Sequence, residues 1–240
     1  MSVISRSAFQ IEKWLQIHAG KHPALFYPMY TLMRGRPQQV VSPESDLVIE
    51  GYPRSANSFA VTSLRNAGPS PLRIASHLHV PAQIIRAQQW GIPTLVIIRP
   101  PEEAVTSFML RDPISARQAL SYYIAFYGTA RRYRRAFTLA LFDEVTRDLP
   151  AVVRRLNHEA GVQIPVPPSD EASRARIFER IDASYRRSYQ GDADLEQAVS
   201  RPSAIREERK QALKEDLRNG HAGRLLNQAR ALYDELVTEQ

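Results

Sequence analysis

Leu47-Val48-Ile49-Glu50-Gly51-Tyr52-Pro53-Arg54-Ser55-Ala56-Asn57-Ser58-Phe59 is the stretch that decides the fold. A short apolar run ends in a loop of small and polar residues carrying one cation, and a helical pattern follows. That order, strand then loop then helix, turns backbone N–H groups and a helix N-terminus towards one spot, where an anion binds. Arg54 adds a fixed positive charge with five donors. From the residues alone, this loop holds a nucleotide phosphate and the rest of the chain supplies the other half of the ligand site.

Outward from the loop, strand and helix patterns alternate. Residues 47–50 read as a strand, and residues 58–66 as a helix ended by Gly68-Pro69. Residues 72–75 form a second short strand running into Ser76-His77-Leu78-His79, and the helix of residues 81–90 is stopped by Gly91. Residues 94–98, Thr-Leu-Val-Ile-Ile, match a strand buried on both faces of a parallel sheet. Pro100-Pro101-Glu102-Glu103 opens a helix with proline and acid where the first turn favours them. A long helical stretch from 114 to about 135 leads into a strand at 138–142 and an amphipathic helix at 149–160, closed by Gly161. The predicted class is α/β, a parallel central sheet with helices on both faces.

The flanks are less regular. Residues 1–45 hold a helical stretch at 4–18 and an aromatic segment at 23–33 whose prolines are expected to break any long helix. They read as a packed N-terminal extension; a lid over an apolar acceptor or a membrane-surface contact are the alternatives. After Pro165, Pro167 and Pro168 come two charged surface helices, 171–189 and 206–237, separated by 190–202. The expected division is an extension at 1–45, an α/β core at 46–165 and a helical region at 166–240, all in a single domain.

Composition narrows the function classes. The 240 residues are 43% hydrophobic and 24% charged, ordinary for a globular protein with a sizeable core. No apolar run reaches the roughly 20 residues that span a bilayer, and no signal-peptide pattern opens the chain. The absence of cysteine excludes disulfides and Cys-ligated metals and suits a reducing, cytoplasmic location. The net charge of +7 fits a polyanionic ligand, a nucleic acid or an anionic membrane alike. Only Lys13, Lys21, Lys210 and Lys214 among the 32 basic residues are lysines, so no arginine is informative by type alone.

A P-loop of the NTPase type reads Gly-x4-Gly-Lys-Ser/Thr. Aligned on Gly51, this chain has Ala56-Asn57-Ser58 in place of Gly-Lys-Ser, so the lysine that reaches β- and γ-phosphates is missing. A nucleotide with a single 5′-phosphate bearing a transferable group does not need that lysine. Tyr52-Pro53-Arg54-Ser55-Ala56-Asn57-Ser58-Phe59 resembles the 5′-phosphosulfate loop of sulfotransferases, Tyr-Pro-Lys-Ser-Gly-Thr-Thr-Trp in cytosolic members. Leu72-Arg73-Ile74-Ala75-Ser76-His77-Leu78 is similar to the segment ending Lys-Thr-His-Leu that presents the catalytic histidine. Residues 97–107 resemble the 3′-phosphate motif, with Ser107 eight residues after Arg99. Residues 139–145 and 149–161 look like the strand, acidic turn and helix that follow. The resemblance covers about 47–161.

The resemblance implies a compact bacterial-type member of the PAPS-dependent sulfotransferases, with a P-loop NTPase-like three-layer sandwich and a helical C-terminal region. The implied donor is 3′-phosphoadenosine 5′-phosphosulfate, the product 3′,5′-adenosine bisphosphate, the acceptor a hydroxyl on a small molecule, lipid or saccharide. No metal, nucleic acid or transmembrane segment is expected. By the resemblance Arg54 neutralises the leaving phosphate, and Ser55, Ala56, Asn57 and Ser58 hold the 5′-phosphate. Phe59 stacks on adenine, and Arg99 and Ser107 bind the 3′-phosphate, with Arg206 as a further cation. His77 is the general base, with His79 as the spare. Arg54 and Ala56 depart from the usual lysine and glycine, and Ala75 stands where cytosolic members carry a second lysine. The cluster Arg131, Arg132, Arg134, Arg135 reads as a solvated helix face, or else as a ligand patch. Two other classes compete: a divergent kinase or NTPase using Mg-ATP, with Asp143-Glu144 as a Walker B-like acid, and a non-catalytic basic interaction protein.

Overall fold

A computed structural model of the protein describes residues 3–34, 37–65, 67–188 and 204–238. Four strands, β1 (Leu47–Gly51), β2 (Ile74–Ser76), β3 (Thr94–Ile98) and β4 (Thr138–Leu141), form one parallel sheet in the order β2-β1-β3-β4. The helices are α1 (Val3–His18), α2 (Pro23–Arg34), α3 (Asn57–Arg65), α4 (Pro81–Trp90), α5 (Pro101–Arg111), α6 (Ala116–Ala130), α7 (Phe142–Ala160), α8 (Glu171–Ser188), α9 (Ala204–Arg218) and α10 (Gly220–Thr238). The protein is therefore α/β, with a parallel sheet covered by helices.

Strand periodicity sorts the core into layers. Leu95 and Ile97 of β3 join Leu47, Ile49 and Ala140 under α3, α7 and α8. Val96 and Ile98 point the other way, among residues of α5, α6 and α10. Val48 and Ala75 meet the buried faces of α1, α2 and α4. Alternation places Glu50 on the same side as Val48, so a carboxylate enters an otherwise apolar layer.

The strand order sets the position of the site. From β1 the chain moves to one side to make β2, then returns to the other side to make β3. The loops after β1 and β3 consequently diverge at a topological switch point, and a crevice opens at the carboxyl ends of these strands. Close approach is essential there. A Cβ on Gly51 would lie 2.3 Å from the Ile97 carbonyl oxygen.

Several expectations shift. The prolines do not break residues 23–33: α2 runs through with Pro23 at its start and Pro28 inside. An interior proline costs about 3 kcal/mol, and burying a large apolar side chain contributes about 1.5–3 kcal/mol, so burial of Phe26, Tyr27 and Tyr30 together outweighs it. The amphipathic helix predicted from 149 begins at Phe142 and kinks at Asp148 (φ −142°, ψ 64°), ahead of Pro150. The 114–135 stretch divides into α6 and a 3-10 turn, Arg131–Ala136. The helix expected over 206–237 is two helices meeting at Gly220, whose φ is 54°. Residues 190–202 lie outside the described residues.

Because backbone rather than a flexible side chain faces Gly51, Gly51→Ala should destabilise the fold by about 1–3 kcal/mol, as overpacking does. Urea denaturation measures it; an unchanged midpoint would show that β1 and β3 can separate without cost.

Candidate functional site

Main-chain conformation marks the site first. Among the described residues, the non-glycine residues at positive φ are Arg54 (70°), Ala56 (68°), His77 (66°) and His79 (54°). All four lie on two adjoining segments, the loop after β1 and the strap after β2. A non-glycine residue in such a region costs on the order of 1–3 kcal/mol and persists only where its surroundings enforce it.

Those surroundings are buried polar groups. Glu50, fully buried, accepts hydrogen bonds from the backbone N–H groups of Leu78 (3.0 Å) and His79 (2.9 Å) and from Gln83 Nε2 (3.4 Å). Burial pushes its pKa up to about 8 against these bonds, so near neutrality the carboxyl is mostly protonated and little charge is buried. His79 Nδ1 donates to the Gly51 carbonyl (2.7 Å). Burial first, then His77, holds His79 well below its ordinary pKa.

Beneath the strand ends, α6 supplies three buried tyrosines. Tyr127 O–H donates to the Ile97 carbonyl (2.7 Å) and accepts from the Tyr52 N–H (3.1 Å). Tyr123 O–H donates to the Arg99 carbonyl (2.8 Å), and Tyr122 O–H to the His79 carbonyl (2.8 Å). Tyr52 O–H donates back to the Ala119 carbonyl (3.1 Å). The residue pattern marked this stretch only as helix; the run Ser121-Tyr122-Tyr123 with Tyr127 four residues on was the available signal.

On this base the predicted residues converge. Arg54 Nε donates to Ser107 Oγ (3.2 Å), 53 residues away, and Arg99 Nη1 donates to the Arg54 carbonyl (3.0 Å). The Arg99 guanidinium also lies 4.1 Å from the Phe142 ring centroid and 3.7 Å from Glu103 Oε2. Ser55 and Asn57 are buried in the loop, and Asn57 Nδ2 donates to the Tyr52 carbonyl (3.2 Å). His77 bridges the two segments, with Nε2 3.1 Å from Ser58 Oγ and Nδ1 2.8 Å from Ser76 Oγ. Burial, then the charges of Arg65 and Arg111, lowers its pKa to about 4, which keeps the ring neutral at pH 7. Arg111, paired with Asp112 at 2.6 Å, is a cation at this site that motif reading overlooked.

Chemically, the arrangement fits a ligand with two anionic ends. Left-handed residues at 54 and 56 flank Ser55, whose N–H donates to the Tyr52 carbonyl (3.3 Å), and the first N–H groups of α3 have no intrahelical acceptor. Arg99 and Ser107 adjoin this loop through Arg54. Among the described residues no group of three or more His, Cys, Asp or Glu is arranged to hold a metal ion.

Other predicted residues are placed differently. Phe59 is turned into the core under α3, where its ring meets Phe178 at 5.6 Å, so in this arrangement it is not an open platform for a base. Arg206 falls within α9, but its side chain lies outside what the structure describes. Two other α9 cations reach this edge: Lys214 pairs with Glu103, and Arg218 with Glu102 (3.2 Å). Glu144 is occupied by Arg155 (3.0 Å) and the Leu141 N–H (2.8 Å), and Asp143 pairs with Arg147 at 3.8 Å. Arg131 pairs with Glu235, and Arg134 Nη1 donates to the Phe137 carbonyl (3.2 Å), at the opposite edge of the sheet from the crevice.

No protein-family model matches the chain, and no curated protein matches its sequence. Among solved structures, the chain is similar to mouse sulfotransferase SULT7A1 complexed with PAP, at a TM-score of 0.41 and 14% identity over 81% of this chain and 92% of that one. No helix among the described residues is long and apolar enough to cross a membrane.

The buried groups predict how stability varies with pH. The folded pKa of His77, about 4, lies below the unfolded value of about 6.5, so the unfolded chain binds more protons in that window and stability rises with pH there; His79 acts in the same direction. Glu50 acts oppositely: its proton is retained in the fold up to about pH 8 and lost from the unfolded chain above about 4.5. Between about pH 6.5 and 8 only Glu50 of these three contributes, and stability falls by at most about 1.4 kcal/mol per pH unit. Glu50→Gln should flatten that slope while lowering stability at pH 6.5 by about 1–3 kcal/mol, since one backbone donor loses its acceptor. Chemical denaturation across this range checks it; an unaltered slope in the variant would remove Glu50 from the account.

Proposed function

We propose that this protein is a sulfotransferase that moves a sulfuryl group from 3′-phosphoadenosine 5′-phosphosulfate to an acceptor hydroxyl. The observation that carries the reading is the contact of the loop after β1 with both remote motifs at once: Arg54 with Ser107 and Arg99, and Ser58 with His77. Three segments that resemble the family's motifs, in the same order, lie in contact with one another.

The donor, when bound, supplies an activated sulfuryl group whose bridging oxygen leaves with the 5′-phosphate. The chain's own part is positioning, charge and one proton. The loop N–H groups with Ser55 and Ser58 hold the 5′-phosphate, and Arg99 and Ser107 hold the 3′-phosphate. Arg54, between the two, offsets the charge that grows on the leaving phosphate. Ser58 has one hydroxyl proton. Given to His77 Nε2 in the free protein, it is given to the 5′-phosphate in the donor complex, which frees the Nε2 lone pair for the acceptor. Nδ1–H on Ser76 Oγ keeps that tautomer. As the acceptor oxygen bonds to sulfur and the bridging S–O bond breaks, Nε2 takes the acceptor proton, a step worth about 10²–10⁴-fold. The acceptor is a small molecule, lipid or saccharide bearing a hydroxyl. A chain without cysteine suits a reducing, cytoplasmic setting.

Two measurements test this. 3′,5′-Adenosine bisphosphate at 100 times its Kd should stabilise the protein by about 2.7 kcal/mol, with no need for magnesium. Stabilisation by Mg-ATP alone would instead indicate a phosphoryl-transfer enzyme.

With labelled donor and a panel of hydroxyl acceptors, His77→Ala should reduce transfer by about 10²-fold or more while bisphosphate binding stays within a few-fold. In the wild type the acid limb of kcat/KM should fall near pH 4 rather than near 6.5. Full transfer by the variant would refute the base assignment.

A further inference from the structure

The N-terminal helices carry an apolar surface that neither the core nor the crevice uses. Ile11 and Trp14, which is 56% exposed, project from α1. On α2, Leu25, Met29, Leu32 and Met33 follow the spacing i, i+4, i+7, i+8 of one helix face, and Leu32 is 89% exposed. Of the large hydrophobic residues exposed elsewhere among the described residues, Trp90 at the end of α4 adjoins them, because Arg86 lies against both Tyr27 and Trp90; only Val166 stands apart. The opposite sides of α1 and α2 are satisfied: Leu15, Ala19, Phe26, Tyr27 and Tyr30 share one buried cluster. α2 is therefore apolar on both sides with only one covered, and a contiguous apolar surface of this kind marks a contact site.

Charge selects the occupant. No acidic residue occurs between Glu12 and Glu44, while Lys21, Arg34 and Arg36 fall in that span. α4 contributes Arg86, whose guanidinium lies flat on Tyr27 at 3.8 Å from the ring centroid, in a groove bordered by Pro28, Thr31 and Leu32. The exposed apolar stripe of α2, with no acidic residue from 13 to 43 and with Lys21 and Arg86 close to it, suits an anionic bilayer surface. We infer that α1 and α2 dock the protein peripherally on anionic phospholipid membranes, with Leu32, Met29 and Trp14 inserted and Lys21 and Arg86 on headgroup phosphates. This inference does not rest on the sulfotransferase reading.

Co-sedimentation of the full chain with phosphatidylcholine vesicles, with and without phosphatidylglycerol, tests it. Binding should be about 30-fold tighter with the anionic lipid, the effect of two cations near a charged surface. Leu32→Glu and, independently on the other helix, Trp14→Glu should each reduce it at least tenfold, with circular dichroism and the thermal unfolding midpoint unchanged. Lys21→Ala with Arg86→Ala should remove the preference for anionic vesicles. Equal binding of wild type and both glutamate variants, or no binding to phosphatidylglycerol vesicles, would overturn the proposal. So would a concentration-dependent dimer in sedimentation velocity that Leu32→Glu dissolves, since the face would then belong to a second copy of the chain.

Discussion

Three phenolic hydroxyls on one helix hold the working end of this protein together. Tyr122, Tyr123 and Tyr127 of α6 are fully buried, and each bonds main chain at the strand ends: the strap after β2, the turn after β3, and β3 itself together with the loop after β1. A buried hydroxyl left without a partner costs about 1–3 kcal/mol, so α6 and the strand ends are stable only together. Tyr52 closes the arrangement from the other side by donating to α6. The floor of the crevice is thereby tied to α6 at four points.

Those ties allow strain and low polarity to coexist. Four non-glycine residues take left-handed conformations within two short segments, and Glu50 is buried beside them. Glu50 compensates by accepting the very N–H groups that the strap would otherwise leave unpaired. Kept mostly neutral near pH 7, it adds little negative charge to a site whose nearby ionic groups include Arg54, Arg99 and Arg111. The same burial keeps His77 neutral beside these cations, as the proposed proton acceptor must be.

The N-terminal helices link this site to the apolar surface. Gln16 of α1 donates to the Leu78 carbonyl (2.9 Å), and Gln83 of α4 accepts from Tyr27 of α2 (3.2 Å) and donates to Glu50. The elements that carry exposed Trp14 and Leu32 thus also buttress the histidine strap. A surface contact through α1 and α2 would be mechanically continuous with the histidine strap.

Much of this was legible in the residues because it is local. Strand, loop and helix at 47–59, the helix stop at Gly91 and the β-branched run of β3 depend on periodicity and backbone preference, which neighbouring residues determine. Where local rules failed, long-range burial had overridden them: Pro28 stays inside α2 because its aromatic neighbours are buried. Phe59, which the resemblance set against a base, lies instead against Phe178, more than a hundred residues later. The roles of Glu50 and the α6 tyrosines were illegible for the same reason. A carboxylate in a strand and tyrosines on a helix acquire meaning only from the strand ends set above them, and the strand order that places those ends is a property of the folded sheet. The chain's own order of residues determined an α/β core with a strand-loop-helix turn after its first strand; only the tertiary structure decided which buried hydroxyls and carboxyl brace that turn, because their partners are distant in sequence and meet only when water is excluded.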